Sequence, residues 1–326
     1  MLRFPSVFGR WPTTNPPRAK EADWRGSGDA PTGAEPQASS HASRRRTARN
    51  TAHLMISVQS PCEFRLMPLT HFPMPPLDRY FSERPIMGDC VSLDGAEAHH
   101  LIHVMRARPG ARLILFDGRG GEWLAEIHRV ERGRAELTIL RHQAIERELP
   151  FVLTVAAPLP KGDRQRWLVE KAVELGVARL VPLRTSRSVV QPVEQAIARL
   201  ARNVIEASKQ CGRNRLMEIA EPVSWPDFVC QTQNIPARFV AHPLDQRDDS
   251  GANHPTDFRS SALSGSDGVV VAVGPEGGFT SEEVGLATDA GWIRVDLGPR
   301  ILRVETAAIV MATMAIDRSL GPRPAA

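Results

Sequence analysis

The sequence predicts an α/β fold, a parallel sheet covered by helices on both faces, preceded by a small β-rich domain. Three observations carry that reading. Over residues 150–320, short apolar runs alternate with amphipathic helical periods, the pattern of a parallel sheet with crossover helices. Over residues 77–147 the pattern changes to period-two alternation broken by Gly-rich turns. Residues 1–73 follow neither period and are rich in Pro, Ser, Ala, Arg and Gly.

That first segment is expected to be disordered and dispensable. It lacks the apolar core of a secretory signal, and its five acidic residues argue against an organellar transit peptide. Met74, in "MPPLDRYF", is the natural beginning of the folded chain, with "SRRRTAR" as an alternative RNA-binding arm. The segment also dominates the charge: it holds 10 of the 41 Lys and Arg but only 5 of the 37 Asp and Glu. The remaining chain is close to neutral, so nucleic acid would have to be met by a local patch rather than a global field.

The small domain, placed at 74–147, opens with "GAEAHHLIHVMRARPG", a short helix ended by Pro109-Gly110. His99 and His103 have the i, i+4 spacing of metal ligands, but no carboxylate or cysteine partner is evident nearby, and no metal is expected. "RLILFDGRGGEWLAEIHRV" reads as a hairpin and "RGRAELTIL" as a further turn and strand. Arg79, Arg84, Arg106, Arg108, Arg112 and Arg119 cluster in this domain and suggest an RNA-facing patch, since guanidinium pairs well with phosphate.

The α/β domain, placed at 150–320, begins with the strand "FVLTVAAPL" and the helix "DRQRWLVEKAVELGV", which turns Leu168, Ala172 and Leu175 to one side and ends at Gly176. The strand "RLVPLR" follows, then a helix with Ile197, Leu200, Val204, Ala207 and Cys211 on one face. After the strand "RFVAH" comes the polar loop "PLDQRDDSGANHPTDFRSSALSGSDG", residues 243–268. Strand 269–273, a helix from Ser281, the strand "IRVDLG" and a last helix from Val304 complete the domain. No apolar run approaches the roughly 18 residues a membrane helix needs. Cys62, Cys90, Cys211 and Cys230 form no C-x-x-C pair, which fits a reducing, cytoplasmic setting.

Ligands of open α/β sheets bind at the carboxyl ends of strands. Two loops occupy that position, "GPEGG" at 274–278 and "LGPRILRVETA" at 297–307, and a Thr280/Glu283 capping box fixes the helix after the first. The first loop matches neither nucleotide fingerprint. Pro275 removes an amide donor, and Glu276 places negative charge where a phosphate would sit. The loop therefore suits a ligand approached closely by Gly274, Gly277 and Gly278 and neutral or positive near Glu276, such as S-adenosylmethionine. The second loop offers backbone groups at Leu297, Gly298, Ile301 and Leu302 and gathers Arg300, Arg303, Glu305 and Thr306.

"VGPEGGFTSEEV" followed by "LGPRILRVETA" resembles the RsmE family of SPOUT methyltransferases, which make 3-methyluridine in 16S rRNA. "KGDRQRWLVEKAVELGVARLVPL", "TSRSVV", "EASKQCGRNRLMEI" and "HHLIHVMRARPGARLILFDGRGG" extend the similarity over about residues 77–318. The resemblance implies a SPOUT α/β domain with a C-terminal trefoil knot, a PUA-like β-barrel ahead of it, and a homodimer with S-adenosylmethionine held in the knot. By position the cofactor would lie against Gly274 to Gly278, Leu297 to Leu302, Thr306 and Ala307, with His242 and Pro243 as a third wall. Arg303 and Arg300 are candidate stabilisers of a uracil anion, and Glu276 and Glu305 candidate bases. Arg79, Arg106, Arg108, Lys161, Lys209, Arg213, Asn214 and Arg215 are expected to contact 16S rRNA or the small ribosomal subunit. Two rivals are a non-catalytic RNA-binding protein with a relic pocket and a nucleotide-dependent oxidoreductase; the missing G-x-G-x-x-G argues against the latter.

Overall fold

The computed structural model describes residues 77–188, 194–243 and 268–320. The expectations for the N-terminal extension, for the start at Met74 and for the polar loop after Pro243 lie outside the described residues, as does the end of "TSRSVV".

The small domain is a five-stranded sheet. Its strands are β1 (Arg79–Phe81), β2 (Cys90–Asp94), β3 (Arg112–Phe116), β4 (Glu122–Glu131) and β5 (Arg134–Gln143), in the order β1-β3-β4-β5-β2. Pairing is antiparallel except between β1 and β3. The expected hairpin is β3–β4. The expected helix is shorter than "GAEAHHLIHVMRARPG": α1 (Gly95–His99) passes into a π-helical turn, His100–Val104, and the chain leaves it with Arg106 at φ 52°. Arg106, rather than Pro109-Gly110, breaks the helix, because a left-handed residue cannot continue it. Among the described residues no group of three or more His, Cys, Asp or Glu could hold a metal ion.

The large domain adds β6 (Val152–Ala157), α2 (Asp163–Glu174), β7 (Arg179–Arg184), α3 (Glu194–Cys211), β8 (Glu218–Ile219), β9 (Val223–Ser224), α4 (Trp225–Gln231), β10 (Ala237–Ala241), β11 (Gly268–Ala272), α5 (Ser281–Asp289), β12 (Ile293–Val295) and α6 (Val304–Leu320). The sheet runs β12-β10-β11-β6-β7-β8, with β9 also on β7, and every pairing is parallel. Its strands are apolar on both faces. Leu153, Val155, Val269 and Val271 join one core with α2, α3 and α6, while Ala156, Val270 and Ala272 join a second with α4 and α5. The alternation follows from the strand period. Among the described residues no helix is long and apolar enough to cross a membrane.

Strand order puts β12 outside β10, at one edge of the sheet, whereas α6 packs on β6, β11 and α2. Residues 296–303 must therefore return past the carboxyl ends of β10 and β11. Three loops gather there as a result: 242–243, 273–280 and 296–303.

Polar groups join the two domains. Arg79 donates to Glu122 Oε2 at 2.7 Å and to Asn214 Oδ1 at 2.5 Å, and Arg147 donates to the same Glu122 oxygen at 3.0 Å. Arg213 forms a forked pair with Glu148, at 2.9 and 2.6 Å, and donates to Val177 O at 2.7 Å. Lys209 pairs with Glu97 at 2.9 Å. Backbone bonds Leu216 N to Gly118 O and Gly120 N to Asn214 O add to the joint. This corrects the expectation that Arg79, Lys209, Arg213 and Asn214 face RNA. Arg213 is 3% exposed and Asn214 1%, and acidic residues from the small domain and the connecting segment already occupy these cations. Arg215 stays exposed but pairs with Glu146 at 3.0 Å, whereas Arg106, Arg108 and Lys161 are exposed.

Burial would push the Glu122 carboxyl up, but hydrogen bonds from Arg147 and Arg79 and their charges outweigh it and hold it below its ordinary value. Its stabilising contribution is thus complete above the unfolded value of about 4.3 and is lost as pH falls through the lower folded value. Replacing Glu122 by Gln is expected to cost roughly 1–3 kcal/mol at neutral pH, because two guanidinium groups lose their anion. Urea unfolding at a series of pH values checks this. The substituted protein should lose less stability on acidification than the wild type, and parallel acid profiles would contradict the assignment.

Candidate functional site

The glycine loop is built from beneath. Val273 N donates to Ala156 O at 3.0 Å, which carries the sheet ladder one residue past β11. Gly274 then has no room for a side chain: an added Cβ would lie 2.9 Å from Phe279 N and 3.1 Å from Gly278 C. Gly278, at φ 69°, closes a turn whose amide donates to Pro275 O at 2.8 Å. Phe279 drops from that turn into an aromatic cluster, with its ring 4.5 Å from Trp225, which lies 5.3 Å from Trp292.

Glu283 holds the far side. Its carboxylate accepts from Thr280 N at 2.9 Å, and Thr280 Oγ1 accepts from Glu283 N at 3.2 Å, the reciprocal pair of a capping box. The other oxygen accepts from Ser186 N at 2.8 Å and Ser186 Oγ at 3.0 Å, while Trp225 Nε1 donates to the Glu283 carbonyl at 2.8 Å. Arg187 donates to Gly277 O at 2.6 Å. The segment after β7 thus straps the glycine loop down, a role its sequence does not reveal.

The second loop starts with Gly298 N donating to Asp296 Oδ1 at 2.8 Å, Gly298 itself being at φ 94°. Leu297 and Leu302 are half-buried, Arg300 is exposed, and Ile301 is 94% exposed. The third wall is tied to it by His242 N donating to Val295 O at 3.0 Å, with Pro243 exposed beside it. An apolar side chain left in solvent beside backbone turns, and an exposed carboxylate at Glu276 with no amide at Pro275, suit a ligand with a flat apolar part and a positive charge.

A cleft of about 510 Å³ adjoins these loops, between the first turns of α2 and α6. Arg303, at the end of the second loop, and Glu305 and Thr306 of α6 line it on one side, and Asp163, Arg164, Arg166, Trp167 and Glu170 of α2 on the other. Arg164 lies 3.6 Å from Glu276 Oε1 and 3.6 Å from Glu305 Oε1, so it links the cleft to the glycine loop. Glu305 is 6% exposed, and its Oε2 is buried without a hydrogen-bond partner. Four residues expected at the site, Glu276, Arg303, Glu305 and Thr306, thus come to this cleft or its rim. Arg300 does not line it. Ala307 is buried in the first turns of α6, and its amide donates to Arg303 O at 2.8 Å. Arg164 and Trp167 were missed. The exposed Trp167, off the apolar stripe of α2, was the readable signal.

In a parallel sheet, the carboxyl ends of the strands, where the three loops converge here, are the place where ligands bind. Residues 147–316 match the RNA methyltransferase domain family and residues 93–140 the RNA methyltransferase PUA domain family. The ribosomal RNA small subunit methyltransferase E of Bacillus subtilis is 30% identical over 222 residues, covering 67% of this chain and 86% of that protein. Its Synechocystis counterpart is 34% identical over 232 residues, covering 68% and 70%. The crystal structure of the Neisseria gonorrhoeae enzyme bound to S-adenosyl methionine has a TM-score of 0.63 at 30% identity, covering 73% of this chain and 95% of that one. The chain belongs to the ribosomal RNA small subunit methyltransferase E family.

The packing around Gly274 gives a direct test. Gly274→Ala is expected to lose roughly 1–3 kcal/mol of stability through overpacking against the Phe279 backbone, as read by urea denaturation. A neutral result would mean the loop is not held as described.

Proposed function

We infer that the protein methylates N3 of a uridine in 16S rRNA of the small ribosomal subunit, using S-adenosylmethionine, as a cytoplasmic homodimer. The observation that carries this reading is the meeting of Arg303, Glu305 and, through Arg164, the glycine-loop Glu276 at one cleft. The loops fit the cofactor: Ile301, Leu302 and Leu297 offer apolar surface for an adenine ring, Gly274 to Gly278 let backbone come close, and Glu276 favours a cation. The cofactor supplies an electrophilic methyl group on a positively charged sulfur.

The rest falls to the chain. Uracil N3 carries a proton at neutral pH and is a poor nucleophile until that proton leaves. Glu305 Oε2, buried and unpartnered, is the acceptor for it, while Arg164 occupies the other oxygen. Arg303 faces the same cleft and offsets the negative charge that spreads onto O2 and O4. With the cofactor bound, its methyl group would be the electrophile for N3, and Glu305 would hold the proton that N3 gives up. Arg106, Arg108 and Lys161, the exposed members of the expected RNA set, remain candidates for phosphate contacts. A relic pocket would have no use for a buried carboxylate with one oxygen left without a hydrogen bond, since an unsatisfied buried oxygen costs stability.

Two measurements test the reading. Nucleoside mass spectrometry of 16S rRNA should find 3-methyluridine in cells with the gene and a loss of it on deletion; an unchanged level would sink the proposal. Arg303→Ala and Glu305→Gln should each lower kcat by about 10²–10³-fold with cofactor affinity little changed. Full activity in either would remove that residue from the chemistry.

A further inference from the structure

We propose that Trp167 is the platform on which the RNA base entering the cleft stacks, with Arg166 beside it for the backbone phosphate. This rests on the uridine reading above and adds to it the surface that holds the base. Helix α2 turns Leu168, Val169, Ala172 and Val173 into the core, and Trp167 belongs to the opposite face, 43% exposed. The core makes no use of so large an apolar ring, which is left on the wall of the cleft. It is the one aromatic side chain among the described residues that line the cleft, and it lines it together with Arg303 and Glu305.

Stacking is the contact that the chemistry leaves free. A uracil that presents N3 to Glu305 and its carbonyl oxygens to Arg303 has spent every polar group on its edge. Only its two faces remain, and a protein holds a base face with an aromatic ring. N3 also lies on the pairing edge, so the base arrives unpaired and has lost the stacking it had in RNA; an indole ring restores that contact inside the cleft. Arg164 is engaged by Glu276 and Glu305, whereas Arg166, also on the cleft side of α2, is exposed and has no carboxylate partner among the described residues. That leaves Arg166 for phosphate.

The test uses the full-length protein with small ribosomal subunits from the deletion strain, cofactor calorimetry, and fluorescence quenching by a uridine-containing RNA. Trp167→Ala should lower kcat/KM for the ribosomal substrate by roughly 5- to 150-fold, the range for losing one base stack, with cofactor affinity unchanged. Trp167→Phe should keep most of the activity, and Trp167→Leu should behave like Ala. The share of quenching that belongs to Trp167 should disappear in the Phe variant. Full activity in the Ala variant, or identical quenching in wild type and Phe variant, overturns the proposal. So does a loss of activity accompanied by a change of oligomeric state in sedimentation, which would make this face a contact between two copies of the chain. A wild type that transfers no methyl group to RNA sinks the assigned reaction instead, and the quenching comparison still decides whether a base meets Trp167.

Discussion

The site depends first on one buried carboxylate, that of Glu283. It ties the N-terminus of α5 to Thr280 and reaches a residue 97 positions away, Ser186. A carboxylate taken out of water persists only when its oxygens are occupied, and here each oxygen accepts at least one N–H. Because these donors come from both the glycine loop and the segment after β7, the loop cannot shift without breaking several bonds together. Phe279, sunk against Trp225, adds an apolar anchor one residue beyond the turn. The loop is therefore fixed before any ligand arrives, and a preformed loop spends less binding free energy on ordering.

A second constraint sets the posture of the two domains. Arg79, Arg147 and Asn214 converge on or around Glu122, and Arg213 is forked onto Glu148. Pairs of this kind add modestly to stability, because desolvation offsets much of their attraction. They do fix geometry, since a guanidinium fork accepts few orientations. The small domain, with the exposed Arg106 and Arg108, is thereby held in a defined relation to the large domain and its cleft. The basic segment "KQCGRNR" thus holds the domains in place through Lys209, Arg213 and Asn214.

Much of this was legible in the chain. The capping box at Thr280 and Glu283, the strands 179–184 and 269–273, and the helix from Val304 follow from local sequence rules, and the structure has the capping box, β7, β11 at Gly268–Ala272 and α6. Other parts were hidden for a physical reason: they depend on partners far away in sequence. Nothing next to Arg213 shows that Glu148 will neutralise it, so its charge reads as a free cation. Arg187 and Ser186 look like surface residues until the fold brings Gly277 and Glu283 to them. The helix α4 was overlooked although its cap was visible, with Ser224 as N-cap, Pro226 in the first turn and Asp227 accepting from the cap hydroxyl. The cleft itself needed α2 and α6 side by side, a neighbourhood that only the strand order creates.

The central claim is that the loops at 273–280 and 296–303 hold the cofactor on a frame fixed by Glu283. Amide hydrogen exchange with and without S-adenosylmethionine tests it most directly. Binding should slow exchange in those two loops and leave the small-domain strands β3 to β5 unchanged. Protection confined to other segments, or none in either loop at saturating cofactor, would contradict the account.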